Sequence, residues 1–243
     1  MRLLMIILLS SLTLLTPGAT QAAAEGERIL VFTRTAGYRH DSIPTAVATL
    51  RKLAGQEGFT ADHSEDAGDI NTANLARYRI VVFASTTGDL LEEAQQRALQ
   101  EFVRHGGGFV GVHAAADTEY DWPWYGELVG AYFRSHPPGL HSTLVQPERG
   151  GKPAGKPWQI RDELYNYRSN PRGQVRVAAT IDERTYEGGT MAADHPITWC
   201  HAFDGGRSWY TGLGHDAAVY EDTNFLAQLR RGLRYAAGRS DDC

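Results

Sequence analysis

Short solid apolar runs alternate, along the first half of the chain, with stretches whose apolar residues recur at helical spacing. Residues 28–32 (RILVF) and 80–84 (IVVFA) are two such runs, each suited to a strand buried on both faces of a parallel sheet. Between them a helix is predicted from Asp41 or Ser42, both good N-caps, with Pro44 in its first turn. Val47, Leu50 and Leu53 share one face of it, and Gly55 and Gly58 close it. Residues 59–63 read as a short strand and 71–78 as a short helix. Leu91, Ala94, Ala98, Leu99, Phe102 and Val103 mark an amphipathic helix that Gly106 ends, and Phe109-Val110-Gly111-Val112 is a further buried strand. This β-α-β-α-β-α-β order with short connections predicts an α/β fold. The expected form is a flavodoxin-like, doubly wound, mostly parallel sheet with helices on both faces.

The pattern weakens after residue 130. Residues 140–148 alternate as an edge strand would, 150–157 (GGKPAGKP) are turn-rich, and 174–181 form another strand. Two strands, 197–203 and 208–213, flank Asp204-Gly205-Gly206-Arg207, which is hairpin chemistry. A closing helix over 223–237 buries Phe225, Leu226, Leu229, Leu233 and Ala236. There is no internal repeat and no linker long enough to separate two units, so residues 25–243 are expected to form a single α/β domain.

Composition changes the picture at the amino end. Arg2 precedes an apolar run over 3–15 that is too short to span a bilayer; Pro17-Gly18 breaks it, and Ala22-Ala23-Ala24 offers a small-residue cleavage site. A signal peptide over residues 1–24 is therefore predicted, with a periplasmic or secreted mature protein and no membrane partner once it is cleaved. Removing it leaves 219 of the 243 residues, and losing Arg2 takes the formal charge from −5 to −6. No basic cluster suits a nucleic acid. The two cysteines, Cys200 and Cys243, could pair in an oxidising compartment. Cys243 ends the chain, however, and the apolar context of Cys200 favours a buried thiol.

The candidate chemistry centres on Gly111-Val112-His113-Ala114-Ala115. A strand that stops at one polar side chain, with small residues around it, presents a reactive group at the carboxyl end of a sheet. The spacing resembles a nucleophile elbow with histidine at the elbow position. His215 follows another glycine-spaced strand end and is followed by Asp216. Glu163, among aromatics in Asp162-Glu163-Leu164-Tyr165-Asn166-Tyr167, could gain general-base character from partial burial, or could be a surface carboxylate. Of the nine histidines, His63 and His105 look incidental, and the rest fall at or after strand ends. His136-Pro-Pro-Gly-Leu-His141 is not a metal spacing, because its prolines forbid the helix that such spacing needs. Trp122, Trp124 and Tyr125, beside Asp117, Glu119 and Asp121, suit a ligand with apolar ring faces such as a sugar; their alternative is a helix burying its aromatics in the core. No Walker loop, helix-opening G-x-G-x-x-G, C-x-x-C or H-E-x-x-H occurs, so a nucleotide cofactor is unsupported.

Gly37-Tyr38-Arg39-His40-Asp41-Ser42, residues 107–115, residues 118–130, residues 162–166, Asp194-His195-Pro196-Ile197 and Gly212-Leu213-Gly214-His215 together resemble the ThuA-like (trehalose utilisation) family of the class I glutamine amidotransferase-like superfamily. The resemblance spans about residues 28–237. Glutaminase members of that superfamily carry cysteine at the elbow; with His113 there, no thiolate can form a glutamyl thioester. The family's link to disaccharide catabolism implies acid/base or metal-assisted lyase, hydrolase or isomerase chemistry on a carbonyl-bearing glycoside. His113, His215 and Glu163 are then the expected catalytic residues, and Tyr38, His40, Trp122, Trp124 and Tyr125 the substrate-binding ones. His113 and His215 would be ligands of a divalent metal, zinc by preference. The competing reading is a secreted carbohydrate-binding protein that performs no chemistry. A homodimer with the aromatic segment at its interface is compatible with either.

Overall fold

A computed structural model of the chain describes residues 27–243, so the expected signal peptide lies outside the described residues. The first half alternates as the apolar pattern requires: β1 (Arg28–Phe32), α1 (Ile43–Gln56), β2 (Thr60–Ser64), α2 (Thr72–Leu75), β3 (Ile80–Ala84), α3 (Glu93–Arg104) and β4 (Gly108–Val112). Then come α4 (Pro123–Val129), β5 (Phe133–Ser135), β6 (His141–Arg149), β7 (Lys152–Pro153), β8 (Trp158–Asp162) and β9 (Asn166–Tyr167). Last are β10 (Arg176–Ile181), β11 (Pro196–Phe203), β12 (Gly206–Thr211) and α5 (Thr223–Ala236).

The main sheet runs β2-β1-β3-β4-β12-β11-β10-β6-β7, with β8 also on β6. Its first five strands are parallel, in the doubly wound order with β12 in fifth place. The remainder is an antiparallel excursion between β4 and β12. Strand β12 shows how one strand serves two layers. Ser208 faces α4, where its hydroxyl donates to the Leu128 carbonyl, while Trp209 on the other face fits under Gly232 of α5. Both faces of the sheet are therefore covered by helices.

Three expectations are corrected. Residues 140–148 do not form an edge: β6 lies between β10 on one side and β8 on the other, and the weak alternation reflects partial exposure at the periphery. The predicted helix over 71–78 shrinks to four residues because the Asn71 side chain caps it and the chain turns at once into β3. Cys200 is not a free thiol. It forms a disulfide with Cys243, which ties the last residue back to β11. Among the described residues no helix is long and apolar enough to cross a membrane.

Candidate active site

Strand β4 delivers His113 as the elbow spacing predicted. The strand ends at Val112, and His113 itself takes a left-handed backbone (φ +52°) before a short 3₁₀ turn through Asp117. That conformation costs a residue with a Cβ about 1–2 kcal/mol, and it aims the ring across the carboxyl ends of the parallel strands. The ring is completely buried. Its Nδ1 lies 2.9 Å from the Gly212 carbonyl, an acceptor, so Nδ1 carries the proton and Nε2 presents a lone pair.

Three further side chains converge on that lone pair. His40, from the loop between β1 and α1, places Nε2 at 3.1 Å, and His215, from the loop after β12, places Nδ1 at 3.3 Å. Glu163, just beyond β8, places Oε2 3.5 Å from His113 Nε2 and 3.2 Å from His215 Nδ1. All four donor atoms lie within 4.8 Å of one another. Tetrahedral zinc with bonds of about 2.0–2.1 Å separates neighbouring ligands by about 3.4 Å, so the measured spacings suit a metal. The hydrogen bond from His113 Nδ1 to a backbone carbonyl is the outer contact that metal-bound imidazoles make. These His and Glu side chains could hold a metal ion.

The charges within the cluster are coupled. Burial, then the neighbouring His113 and His215, push His40 down to about 3, leaving it neutral with a lone pair free at physiological pH. Burial alone would raise Glu163, as the sequence suggested, but the facing imidazoles of His113 and His215 outweigh it and hold the carboxyl well below its usual range. The hydrogen bond to Glu163 raises His215 in turn.

His136, just after β5, completes the polar rim: its Nδ1 is 3.2 Å from Glu163 Oε1. The prolines that separate it from His141 do exclude a shared helical metal spacing, yet its loop still reaches the site. His141 stands apart, its ring 5.9 Å from that of Tyr186. The aromatic wall also differs from expectation. Tyr38 sits edge-on to His40 at 4.8 Å and is 63% exposed, Tyr165 packs on His113 at 4.3 Å, and Phe133 packs on Tyr165 at 4.3 Å.

Trp122, Trp124 and Tyr125 do not form a sugar platform at the imidazoles. Pro123 starts helix α4, which lies against the sheet, so Tyr125 is fully buried with its hydroxyl donating to the Ala115 carbonyl. Trp124 donates from Nε1 to Asp204, in the β11–β12 turn at the opposite end of the sheet, and Trp122 stacks on Trp124 at 4.9 Å. Glu119 is equally structural, accepting from the Leu90 and Leu91 amides and from Gln96. Of the expected residues, then, Tyr38, His40, His113, Glu163 and His215 come together. Asp162 and Tyr165 lie in the 162–167 segment that the sequence marked around Glu163, without a role of their own; His136 was set aside with its prolines, and Phe133 was not marked.

A family model for ThuA, trehalose utilisation, matches residues 28–236. Among curated proteins, none matches the sequence. Among solved structures, the chain is similar to a ThuA-like protein from Bacteroides uniformis (21% identity, TM-score 0.75, 93% of this chain and 97% of that one). It is also similar to a ThuA-like protein from Parabacteroides merdae (21%, TM-score 0.70, 88% and 91%). A β-galactosidase from Bacillus circulans sp. alkalophilus shares the fold over 90% of this chain and 32% of its own (13%, TM-score 0.52).

Proposed function

Because the chain belongs to the ThuA, or trehalose utilisation, family, we propose that it is an exported enzyme acting on a carbonyl-bearing glycoside or disaccharide by metal-assisted acid/base chemistry. The observation that carries the reading is the convergence of three imidazole nitrogens and one carboxylate at the carboxyl end of the sheet. An open α/β sheet binds its ligands at that end.

In this reading His40, His113 and His215 hold a divalent metal, zinc by its donor set. When bound, it supplies a Lewis acid for a substrate carbonyl. Glu163 takes the proton α to that carbonyl. Its Oε2 faces the imidazoles, and its Oε1 faces His136, which is 36% exposed and so connects the carboxylate to solvent. Tyr38, exposed at the mouth beside His40, offers a ring face to the sugar. Glutamine hydrolysis by a cysteine thiolate finds no support, since His113 occupies the elbow and the Cys200 sulfur is bonded to Cys243. That disulfide and the amino-terminal sequence pattern both suit an oxidising compartment outside the cytoplasm.

The test is metal analysis of chelator-free protein together with turnover of keto disaccharides. Near-stoichiometric divalent metal with turnover, both lost in His113→Ala, supports the reading. Tight binding of such sugars without turnover would replace it with a binding protein.

A further inference from the structure

We propose that Asp162 is a positioning residue for the metal site, fixing His215 through the backbone amides on either side of it. The inference rests on the metal reading above and concerns a group that prepares a ligand without touching the ion.

Asp162 ends β8, and its side chain is completely buried. Oδ2 accepts from the Gly214 amide at 2.6 Å and Oδ1 from the Asp216 amide at 3.0 Å. Those two amides bracket His215, so one carboxylate clamps the backbone on both sides of the ring. The same loop is held from its other edge, where the Gly214 carbonyl accepts from Ser42 Oγ at 3.0 Å and from the Tyr220 hydroxyl at 3.3 Å. Gly214 has φ +120°, and a Cβ there would stand 2.8 Å from the Tyr220 oxygen. The loop therefore has little freedom to present His215 differently. The next residue, Glu163, meets the ring itself at 3.2 Å, so two consecutive carboxylates hold the backbone and the imidazole of one histidine.

Charge supports the same assignment. Among the described residues Asp162 makes no ion pair, and its two side-chain oxygens are met by the backbone amides of Gly214 and Asp216. Buried carboxylates are ordinarily paired or associated with metals. A dication held by the adjacent imidazoles would supply the missing countercharge.

The experiment uses the mature chain with Zn²⁺ and Co²⁺ alone as probes. Asp162→Asn preserves size but sets an amide group against a backbone N–H. Zinc affinity is expected to fall about 10–100-fold, the Co²⁺ ligand-field spectrum to change, and the loss to vanish in a His215→Ala background, because the two act through one ligand. Unchanged zinc affinity and Co²⁺ spectrum in Asp162→Asn, or an equal further loss in His215→Ala, would overturn the proposal. A wild-type chain that binds neither ion would overturn the metal reading along with it. Should Asp162→Asn fail to fold, amide exchange in the metal-free wild type decides. Protected Gly214 and Asp216 amides before metal is added support a prebuilt loop, and free exchange refutes it.

Discussion

His113 Nε2 lies 3.1 Å from His40 Nε2, although the two residues are 73 positions apart and belong to different strand ends. With Nδ1 of His113 committed to the Gly212 carbonyl, this approach sets two ring nitrogens side by side in a buried space. Such a pair is stable when a cation lies between the lone pairs or when one ring donates to the other. Replacing either histidine separates these cases. His40→Ala and His113→Ala are each expected to lower zinc affinity by at least about tenfold, read by competition with a chromophoric chelator. Retention of wild-type affinity in both would exclude them as ligands.

Glu163 is expected to behave differently from the histidines. Glu163→Gln keeps an oxygen facing His215 but cannot take a proton, so metal content should stay near wild type while turnover falls about 10²–10⁴-fold. Loss of metal in this variant would make Glu163 a ligand and move the proton transfer elsewhere.

Much of this arrangement was legible in the sequence, because it depends on local signals. A glycine-rich strand that stops at His113, a loop Tyr38-Arg39-His40 after β1 and the Gly212-Leu213-Gly214-His215 strand end each announce a side chain at a sheet edge. Strands β1, β3 and β4 of the parallel half followed from solid apolar runs, whereas β2 and β12 carry no such run. What misled was ambiguous spacing. Trp122, Trp124 and Tyr125 fit a ligand platform and a core helix equally well, and Pro123 with the apolar sheet beneath decides for the helix. Asp162 was unreadable for another reason. Its role lies in backbone amides 52 and 54 residues away, which carry no side-chain signature. The place of β6 was likewise set by its pairing with β8 and not by its own alternation.

The buried state of His40 has a consequence for acid stability. Its pKa is lowered to about 3 in the folded chain, against an ordinary value of 6.5. The unfolded chain therefore takes up a proton below about pH 6.5 that the folded chain refuses. Stability from this group is complete above that pH and is lost as pH falls toward 3. Between pH 7 and 5 the metal-free protein should lose about 2 kcal/mol from His40 alone. Urea titrations at the two pH values check this, and His40→Gln should flatten the difference; an unchanged slope would show that His40 is protonated in the folded state.

The disulfide makes a prediction independent of the site. Cys200 and Cys243 are 43 residues apart, and closing a loop of that length in the unfolded chain is worth up to about 4 kcal/mol. Cys243→Ser should lower the thermal midpoint measurably under non-reducing conditions and leave zinc affinity unchanged, since β11 carries no site residue. Equal midpoints with and without reductant would mean the bond adds nothing.

Aromatic substitutions distinguish the platform the sequence suggested from the one the fold supplies. Tyr38 is largely exposed beside His40, whereas Trp124 is anchored to Asp204 at the far end of the sheet. Tyr38→Ala should therefore raise KM for a sugar substrate with little loss of stability, because the ring buries little in the free protein. Trp124→Ala should do the reverse. It removes the Asp204 hydrogen bond and the stack of this partly buried ring on Trp122, costing about 1–3 kcal/mol of stability, while KM stays near wild type. Steady-state kinetics and urea unfolding on the same two variants give the answer. A KM that rises for Trp124→Ala and not for Tyr38→Ala would place the sugar on α4 after all.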